Sequence, residues 1–310
     1  MKKIIDVKHL IKRYKKTEIN AVDDVSFYVE EGAFFSLLGP NGAGKTTILS
    51  ILNTTLTKTS GSVEIAGYEL EKDPGKIRKN IGVIFQNPSL DMNLTAEENV
   101  RIHANLYGLY PFRPAYALMP SGYKKKVKEL SDVLQISEDM FKPVKTFSGG
   151  MKRKLEIIRS LTHNPRVLFL DEPTTGLDPI SRKGLWDYLQ DVREKEKITI
   201  FLTTHYLEEA ERSDYICVVN KGKIVSQGSP EEIKKNLIEA FITVDAKDRE
   251  ALKKELEKRK LKVSEKGPFK ITMGRKTAHE ILKMIDTPLT DVQVHTPTLE
   301  EAYVEIINNA

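Results

Sequence analysis

Cysteine is almost absent from this chain of 310 residues. The one cysteine, Cys217, can form neither an internal disulfide nor a cysteine-built zinc site. It lies in the apolar run Tyr215–Val219, so we expect a buried structural thiol in a protein of a reducing compartment.

Long hydrophobic runs are missing as well. No run approaches the ~20 apolar residues that a membrane-spanning helix needs. Asp6 places a charge before a secretory core could form, so we expect no signal peptide. Lysine and arginine number 49 and aspartate and glutamate 44, and the net charge of +5 is too small and too dispersed to indicate nucleic-acid binding. The composition is that of an ordinary soluble globular protein, and the length of 310 residues predicts about two domains.

A glycine-rich stretch gives the first indication of chemistry. It follows an apolar run and precedes a helix-compatible run, and this order of strand, turn and helix favours a phosphate-binding loop over an ordinary helix cap. Its backbone N–H groups would converge on an anion at the positive end of the helix dipole. Lys45 would then reach the β- and γ-phosphates, and the Thr46 hydroxyl would hold Mg²⁺. The residues are Gly39, Pro40, Asn41, Gly42, Ala43, Gly44, Lys45, Thr46 and Thr47.

Strands and helices alternate through residues 1–237. The alternating pattern of residues 3–30 indicates antiparallel strands along one edge of the core. Buried strands at 166–171 and 198–203, each followed by a helix, predict a parallel sheet with its ligand crevice at the carboxyl ends of the strands. The helical periodicity of residues 94–165 predicts a helical subdomain, and a proline-rich loop at 111–122 interrupts it.

The pattern changes at about residue 240. The predicted order is β-α-β-β-α-β with a final helix, which is typical of a ferredoxin-like α+β domain. No constellation in residues 240–310 suggests catalysis, so we expect an accessory or regulatory domain there. The predicted strands cover 241–244, 261–263, 269–273 and 292–295.

Two adjacent acids follow a predicted strand of the parallel sheet. Asp171 could hold Mg²⁺ directly or through water, and Glu172 could polarise a water for attack on the γ-phosphate. The alternative is that the pair only starts a turn before Pro173. With a phosphate loop in the same chain, the metal and catalytic roles are favoured.

A second anion-binding element starts the helix that follows residue 148. Ser148 can cap this helix while its hydroxyl and the amides of Gly149 and Gly150 face outward. A monomer with one phosphate loop has no use for a second such element. Two copies do, because each could close on the nucleotide of the other.

Taken in order, these residues resemble the motifs of ATP-binding cassette (ABC) ATPases. The resemblance covers residues 1 to about 235, and the end of the chain at 298–303 resembles the C-terminal domain of multidrug exporter ATPases of the daunorubicin-resistance type. Phe147 and Met151 depart from the usual signature residues but remove no phosphate ligand. The Walker A, Q-loop, signature, Walker B, D-loop and H-loop motifs correspond to residues 39–47, Gln86, Ser148–Gly150, Asp171–Glu172, Asp178 and His205.

The resemblance implies roles for four further residues. From the residues alone, Tyr14 could stack on adenine or be a half-buried strand tyrosine, and the resemblance implies adenine stacking. Gln86 would contact Mg²⁺ and the attacking water and link the site to the helical insertion, unless it is a plain strand-end glutamine. Asp178 would lie at the dimer seam, and the alternative is an aspartate that only forms a turn or caps a helix. His205 would contact the γ-phosphate and hold the water, and the alternative is a histidine that only begins a helix.

The resemblance therefore implies the ATPase subunit of an ABC exporter with Mg²⁺ as cofactor. It would act as a head-to-tail homodimer with two ATP molecules, and integral membrane permease subunits would supply the channel. The protein would be cytoplasmic and peripheral on the inner face of the cell membrane. The alternative is a soluble ABC ATPase acting on nucleic acid or the ribosome, which the single cassette and the lack of sustained heptads disfavour. A small-molecule kinase would not need residues 147–151.

Overall fold

The computed structural model describes residues 2–15, 17–86, 89–237, 241–259, 261, 268–274 and 276–308. The chain divides into two compact units, Met1–Gln227 and Gly228–Ala310. This division precedes the expected boundary at 237–240, because the helix Pro230–Leu237 packs against the last helix of the chain, Leu299–Asn308. Each unit is described by itself below.

The first unit contains two sheets. Its strands are β1 (Lys3–Arg13), β2 (Asn20–Glu30), β3 (Phe34–Leu38), β4 (Ser60–Ile65), β5 (Tyr68–Glu69), β6 (Ile81–Ile84), β7 (Val167–Asp171), β8 (Thr199–Thr204), β9 (Tyr215–Asn220) and β10 (Lys223–Gly228). An antiparallel sheet has the order β2-β1-β4-β5, and a six-stranded sheet has the order β10-β9-β3-β8-β7-β6.

The six-stranded sheet is the parallel core that the sequence predicts. The pairs β6–β7, β7–β8, β8–β3 and β3–β9 are all parallel. Every residue of β3, β7 and β8 is buried, as expected for strands covered on both faces. Phe35, Phe169 and Phe201 pack together at ring-centroid distances of 5.0 and 5.3 Å. The predicted parallel core with an antiparallel edge is confirmed.

Helices cover the parallel sheet and form the insertion. They are α1 (Lys45–Leu52), α2 (Pro74–Asn80), α3 (Ala96–Leu106), α4 (Ser121–Val133), α5 (Gly149–Leu161), α6 (Pro179–Glu196) and α7 (Leu207–Ala210). Thr95 and Glu98 form a capping box at the start of α3, which is the start that the sequence predicts. None of the helices in the described residues is long and apolar enough to cross a membrane.

The second unit contains α8 (Pro230–Leu237), β11 (Phe241–Ala246), α9 (Arg249–Lys258), β12 (Phe269–Thr272), α10 (Ala278–Leu282), β13 (Leu289–His295) and α11 (Leu299–Asn308). Its sheet has the order β12-β11-β13, with both pairings antiparallel. Ile242 and Val244 on β11 and Leu252 and Leu256 on α9 belong to its buried core. The strand predicted at 261–263 lies largely outside the described residues.

Candidate functional site

Three strands of the parallel sheet end side by side. Leu38, the last residue of β3, pairs with Thr204 of β8, and Thr203 pairs with Asp171 of β7. The residues that follow these strands therefore emerge at one edge of the sheet. This register brings the phosphate loop, Glu172 and His205 together, although they are distant in sequence.

The phosphate loop is tightly constrained by the neighbouring backbone. A Cβ atom on Gly39 would lie 2.3 Å from the Val219 carbonyl oxygen, which is too close for any side chain. Gly44 has φ 106°, and a Cβ there would lie 2.6 Å from the Ala21 carbonyl oxygen. The loop can take this course only because both positions are glycine.

Lys45 lies inside the loop to which it belongs. Its Nζ atom donates hydrogen bonds to the carbonyl oxygens of Gly39 at 2.7 Å and Pro40 at 3.1 Å. The side chain is 5% exposed, and this burial lowers the pKa of Lys45, against the opposing influence of the Glu172 and Asp171 carboxylates. The ammonium is therefore poised for a stronger anionic partner at the same place.

Glu172 is the carboxylate on which other predicted residues converge. Gln86 Nε2 donates to Glu172 Oε2 at 3.2 Å, and His205 Nδ1 lies 3.0 Å from Oε1. Lys45 Nζ lies 3.8 Å from Oε1. The backbone of Glu172 has φ 45°, a conformation that non-glycine residues adopt rarely and that is common at functional sites.

Asp171 lies beside this group at the end of β7. It is 6% exposed, and its Oδ1 accepts a hydrogen bond from Thr203 Oγ1 at 2.5 Å. Burial raises the pKa of Asp171, while the Thr203 hydrogen bond and the Lys45 charge oppose the shift. Thr46, which follows Lys45 on α1, is exposed.

The oxygen ligands available here suit a hard cation that also binds phosphate oxygens. Asp171, Thr46 and Gln86 offer carboxylate, hydroxyl and amide oxygens, and Mg²⁺ prefers oxygen ligands and retains water or phosphate oxygens in its shell. Among the described residues there is no cluster of three or more His, Cys, Asp or Glu side chains that could hold a metal alone. The residues therefore fit a nucleotide-bound Mg²⁺ better than a protein-only metal site.

Tyr14, for which the alternatives are adenine stacking and a half-buried strand tyrosine, lies next to the phosphate loop. Its side chain is 42% exposed, and its hydroxyl lies 3.3 Å from Thr47 Oγ1, at the end of the phosphate loop. Lys12 Nζ lies 5.4 Å from the centre of its ring. An exposed ring next to the loop is available to a flat base.

Ser148 and Asp178 form a second group at two helix starts. Ser148 caps α5 by accepting from the Met151 N–H, and Asp178 caps α6 by accepting from Ser181 N–H and Oγ. A Cβ atom on Gly150 would lie 3.0 Å from Ser181 Oγ, so the two helix starts adjoin. Ser148 and Gly149 are exposed. Asp178 thus caps α6 in this structure, and the cap is compatible with a position at a dimer interface.

Three buried charged residues near the site were not predicted from the sequence. Glu209 is 2% exposed, and it accepts hydrogen bonds from Thr174 Oγ1 and from Thr204 Oγ1. Arg153 and Glu156 are buried on α5, among its apolar residues. Their signal in the sequence is a charged residue at a helix position whose neighbours in the pattern are apolar.

Comparisons with known proteins agree with this geometry. The ABC transporter family pattern matches residues 22–175. Over 245 residues the chain is 40% identical to the doxorubicin resistance ATP-binding protein DrrA of Mycobacterium tuberculosis, covering 78% of this chain and 71% of that protein. Over 231 residues it is 39% identical to the Nod factor export ATP-binding protein I of Ralstonia nicotianae, covering 74% and 68%.

A solved structure with the same fold is a dimeric post-hydrolysis state of the ATP-binding cassette MJ0796 bound to ADP and Pi. It matches with a TM-score of 0.64 at 27% identity, over 73% of this chain and 98% of that one. The fold and site thus define an ABC-type nucleotide-binding cassette. The chain belongs to the ABC transporter family, as an ATP-binding ATPase subunit of the exporter type, and the predicted family, fold class and enzyme class are confirmed. Its substrate is ATP, and the nucleic-acid alternative is not favoured.

Proposed function

We propose that this chain powers export by hydrolysing ATP at the carboxyl edge of its parallel sheet, with Glu172 as general base. The observation that carries the proposal is the convergence of Gln86 and His205 on the Glu172 carboxylate, beside Lys45. A carboxylate oriented by two side chains next to a phosphate loop can take the proton of a water that attacks the γ-phosphate. His205 would hold that water and contact the γ-phosphate.

ATP would displace the internal contacts of the loop. Its β- and γ-phosphates would replace the Gly39 and Pro40 carbonyl oxygens as partners of Lys45, because an anion binds an ammonium group more strongly than a neutral carbonyl does. The remaining loop residues would supply backbone N–H groups, and the Tyr14 ring would stack on adenine.

Thr46, Gln86 and Asp171 would hold Mg²⁺ together with the nucleotide. The ion would supply neutralisation of charge on the β- and γ-phosphates. The hydrogen bond from Thr203 fixes one oxygen of Asp171 and leaves the other carboxylate oxygen available.

The second half of each site would come from the other subunit. Ser148 and Gly149 are exposed at the start of α5, where the N–H groups and the helix dipole favour an anion. They and Gly150 would close on the γ-phosphate held by the partner in a head-to-tail dimer, with Asp178 at the seam. ATP binding would close the dimer and hydrolysis would reopen it, which biases the conformation of the channel.

The helical insertion carries the surface that we propose for docking to the membrane subunits. Large apolar side chains exposed to solvent favour a protein partner, and Phe85, which precedes Gln86, is exposed as well. We assign export, since the relatives are named for doxorubicin resistance and Nod factor export, and we place the protein on the inner face of the cell membrane. The exposed apolar residues are Ile102, Leu106, Leu109, Phe112, Leu118, Val133 and Phe141.

Co-purification with the membrane subunit tests this assignment. The native protein should be recovered with membranes that contain its permease and should not be enriched on ribosomes or DNA. Phe112→Asp with Phe141→Asp should reduce that recovery while ATPase activity in solution persists, and Tyr28→Ser, an exposed aromatic on β2, serves as the control. Enrichment on ribosomes or DNA without membrane recovery would disprove the transport role.

We also propose that the nucleotide-binding domain is separable from an accessory C-terminal domain. Every candidate phosphate ligand lies before residue 228, inside the first unit. A chain that ends at Gln227, or at the sequence-based boundary of residue 239, should therefore bind ATP with a dissociation constant within about twofold of the full chain. Circular dichroism would establish that the shortened chain is folded, and loss of binding by a folded chain would contradict the division.

A further inference from the structure

Arg153 connects α5 to both sides of the catalytic edge. The side chain is buried, and its Nε donates to the Pro173 carbonyl oxygen at 2.8 Å. Its Nη1 donates to the Phe85 carbonyl oxygen at 2.6 Å, and its Nη2 lies 3.5 Å from the Glu172 carbonyl oxygen. Phe85 immediately precedes Gln86, and Pro173 immediately follows Glu172. One guanidinium therefore holds the backbone next to both candidate catalytic residues.

Glu156 completes this arrangement on the same helix. It is fully buried, and its Oε2 accepts from Arg153 Nη1 at 2.9 Å. Its other oxygen, Oε1, accepts from the Ser89 N–H at 3.1 Å. Arg159, also on α5, donates to the Ser89 carbonyl oxygen at 2.6 Å. The segment that carries Gln86 is thus bonded to α5 at Phe85 before it and at Ser89 after it.

The buried pair of Arg153 and Glu156 provides more than packing, because apolar side chains could fill the same space. A buried ion pair gains little stability over an apolar pair of similar volume, because both charges lose their hydration. A guanidinium, in contrast, offers several N–H donors in one rigid plane, so it can bind carbonyl oxygens of separate segments at the same time. Arg153 therefore fixes the positions of the Phe85 and Pro173 carbonyl groups relative to α5.

We propose that Arg153 is a positioning residue that couples the start of α5 to Gln86 and Glu172 of its own subunit. The inference rests on the proposed function, in which Ser148 at the start of α5 closes on the nucleotide of the partner. A helix moves as one body, so a displacement of its first turn reaches the Phe85 and Pro173 carbonyl groups through Arg153. Each subunit would then adjust its own catalytic groups when it engages the nucleotide of its partner, and the coupling would be reciprocal.

Arg153→Lys is the variant that tests the coupling with least disturbance. Lysine keeps a positive charge near Glu156, but one ammonium cannot reproduce the planar set of bonds to Pro173 and Phe85. We expect kcat to fall about tenfold, while the dissociation constant for ATP, measured without Mg²⁺ so that turnover is absent, changes by less than about twofold. The Hill coefficient of the ATP dependence should fall towards one.

Two further variants separate positioning from folding. Lys154→Met changes the next residue of α5, whose side chain has no hydrogen-bond or ion-pair partner among the described residues. It should keep the kcat and the Hill coefficient of the native chain. Arg153→Met with Glu156→Leu removes both buried charges, so it should fold with a melting temperature close to that of the native protein. It should still show the reduced kcat and the lowered Hill coefficient.

Several outcomes would overturn the proposal. A folded double variant with native kcat, an Arg153→Lys variant with unchanged Hill coefficient, or a native protein without cooperativity would each do so. A loss of ATP affinity equal to the loss of kcat would indicate a general structural role instead. These results differ from a failure of the proposed function, in which the native protein itself would show no Mg²⁺-dependent hydrolysis.

Discussion

The ammonium nitrogen of Lys45 lies 2.7 Å from the carbonyl oxygen of Gly39, six positions earlier in the same loop. The lysine thus folds back on its own loop and donates to its backbone carbonyl oxygens, and these internal hydrogen bonds help the loop to keep its shape. The carboxylate of Glu172, which we propose as the general base, lies 3.8 Å from the same ammonium. One cation therefore lies between the loop expected to bind phosphate and the group expected to activate water.

Glu172→Gln should stop turnover and preserve assembly. The amide has the size of the carboxylate but cannot accept the proton of water, so we expect kcat to fall by about a hundredfold or more. The variant should form a dimer with ATP and Mg²⁺ by size-exclusion chromatography, because the phosphate ligands are unchanged. Glu208→Gln, on the exposed side of α7, is the matched control. A monomer under these conditions would count against the closing mechanism.

Gly39→Ala should strongly weaken ATP binding. Its methyl group would lie 2.3 Å from the Val219 carbonyl oxygen, so either β9 or the phosphate loop must shift. We expect a fall in ATP affinity of at least about tenfold, measured by equilibrium binding. Gly184 is an exposed residue of α6 with no atom near the position of an added methyl group, so Gly184→Ala should bind ATP normally. Native affinity in Gly39→Ala would show that the loop geometry is not needed.

Glu209→Ala should destabilise the edge of the sheet on which His205 lies. The hydroxyl groups of Thr174 and Thr204 would lose their buried acceptor, and Thr204 immediately precedes His205. We expect the free energy of unfolding to fall by about 2 to 4 kcal/mol in denaturant titrations, with a lower kcat. Glu208→Ala, an exposed neighbour, should change the free energy of unfolding by less than about 0.5 kcal/mol. Equal effects of the two substitutions would refute the assigned role.

Glu255 should make the stability of the second unit depend on acid. It accepts hydrogen bonds from Thr287 Oγ1, from the N–H groups of Asp286 and Thr287, and from Arg259, and these bonds lower its pKa to about 2. A depressed carboxyl pKa stabilises the fold above the unfolded value of 4.5, and this contribution is lost as the pH falls towards the folded value.

Hydrogen exchange of the α9 amides between pH 2 and 7 measures this effect, after correction for the intrinsic exchange rate. Protection in the native chain should fall as the pH drops below 4.5. Glu255→Gln should reduce protection at neutral pH and remove much of this pH dependence. Glu257→Gln, an exposed neighbour on α9, should behave like the native chain. An unchanged pH profile in Glu255→Gln would contradict the assignment.

Much of the fold followed from local pattern. The turn that begins at Gly39 depends on residues adjacent in sequence, and so do the capping box of α3 and the caps that Ser148 and Asp178 provide. Other features depended on contacts that no local pattern reports. The division of the chain at Gln227 follows from the packing of α8 against α11, which is remote from it in sequence.

The amino-acid sequence by itself determined which residue types carry the chemistry and that they belong to an ABC ATPase. A phosphate loop, an acidic strand end and a serine-capped helix are each encoded within a few neighbouring residues. Only the tertiary structure decided that Gln86 and His205 meet at Glu172. It also decided that Arg153 donates hydrogen bonds to the backbone next to Gln86 and next to Glu172. The reason is the parallel register of β3, β8 and β7, which aligns strand ends distant along the chain and which depends on the packing of the whole sheet.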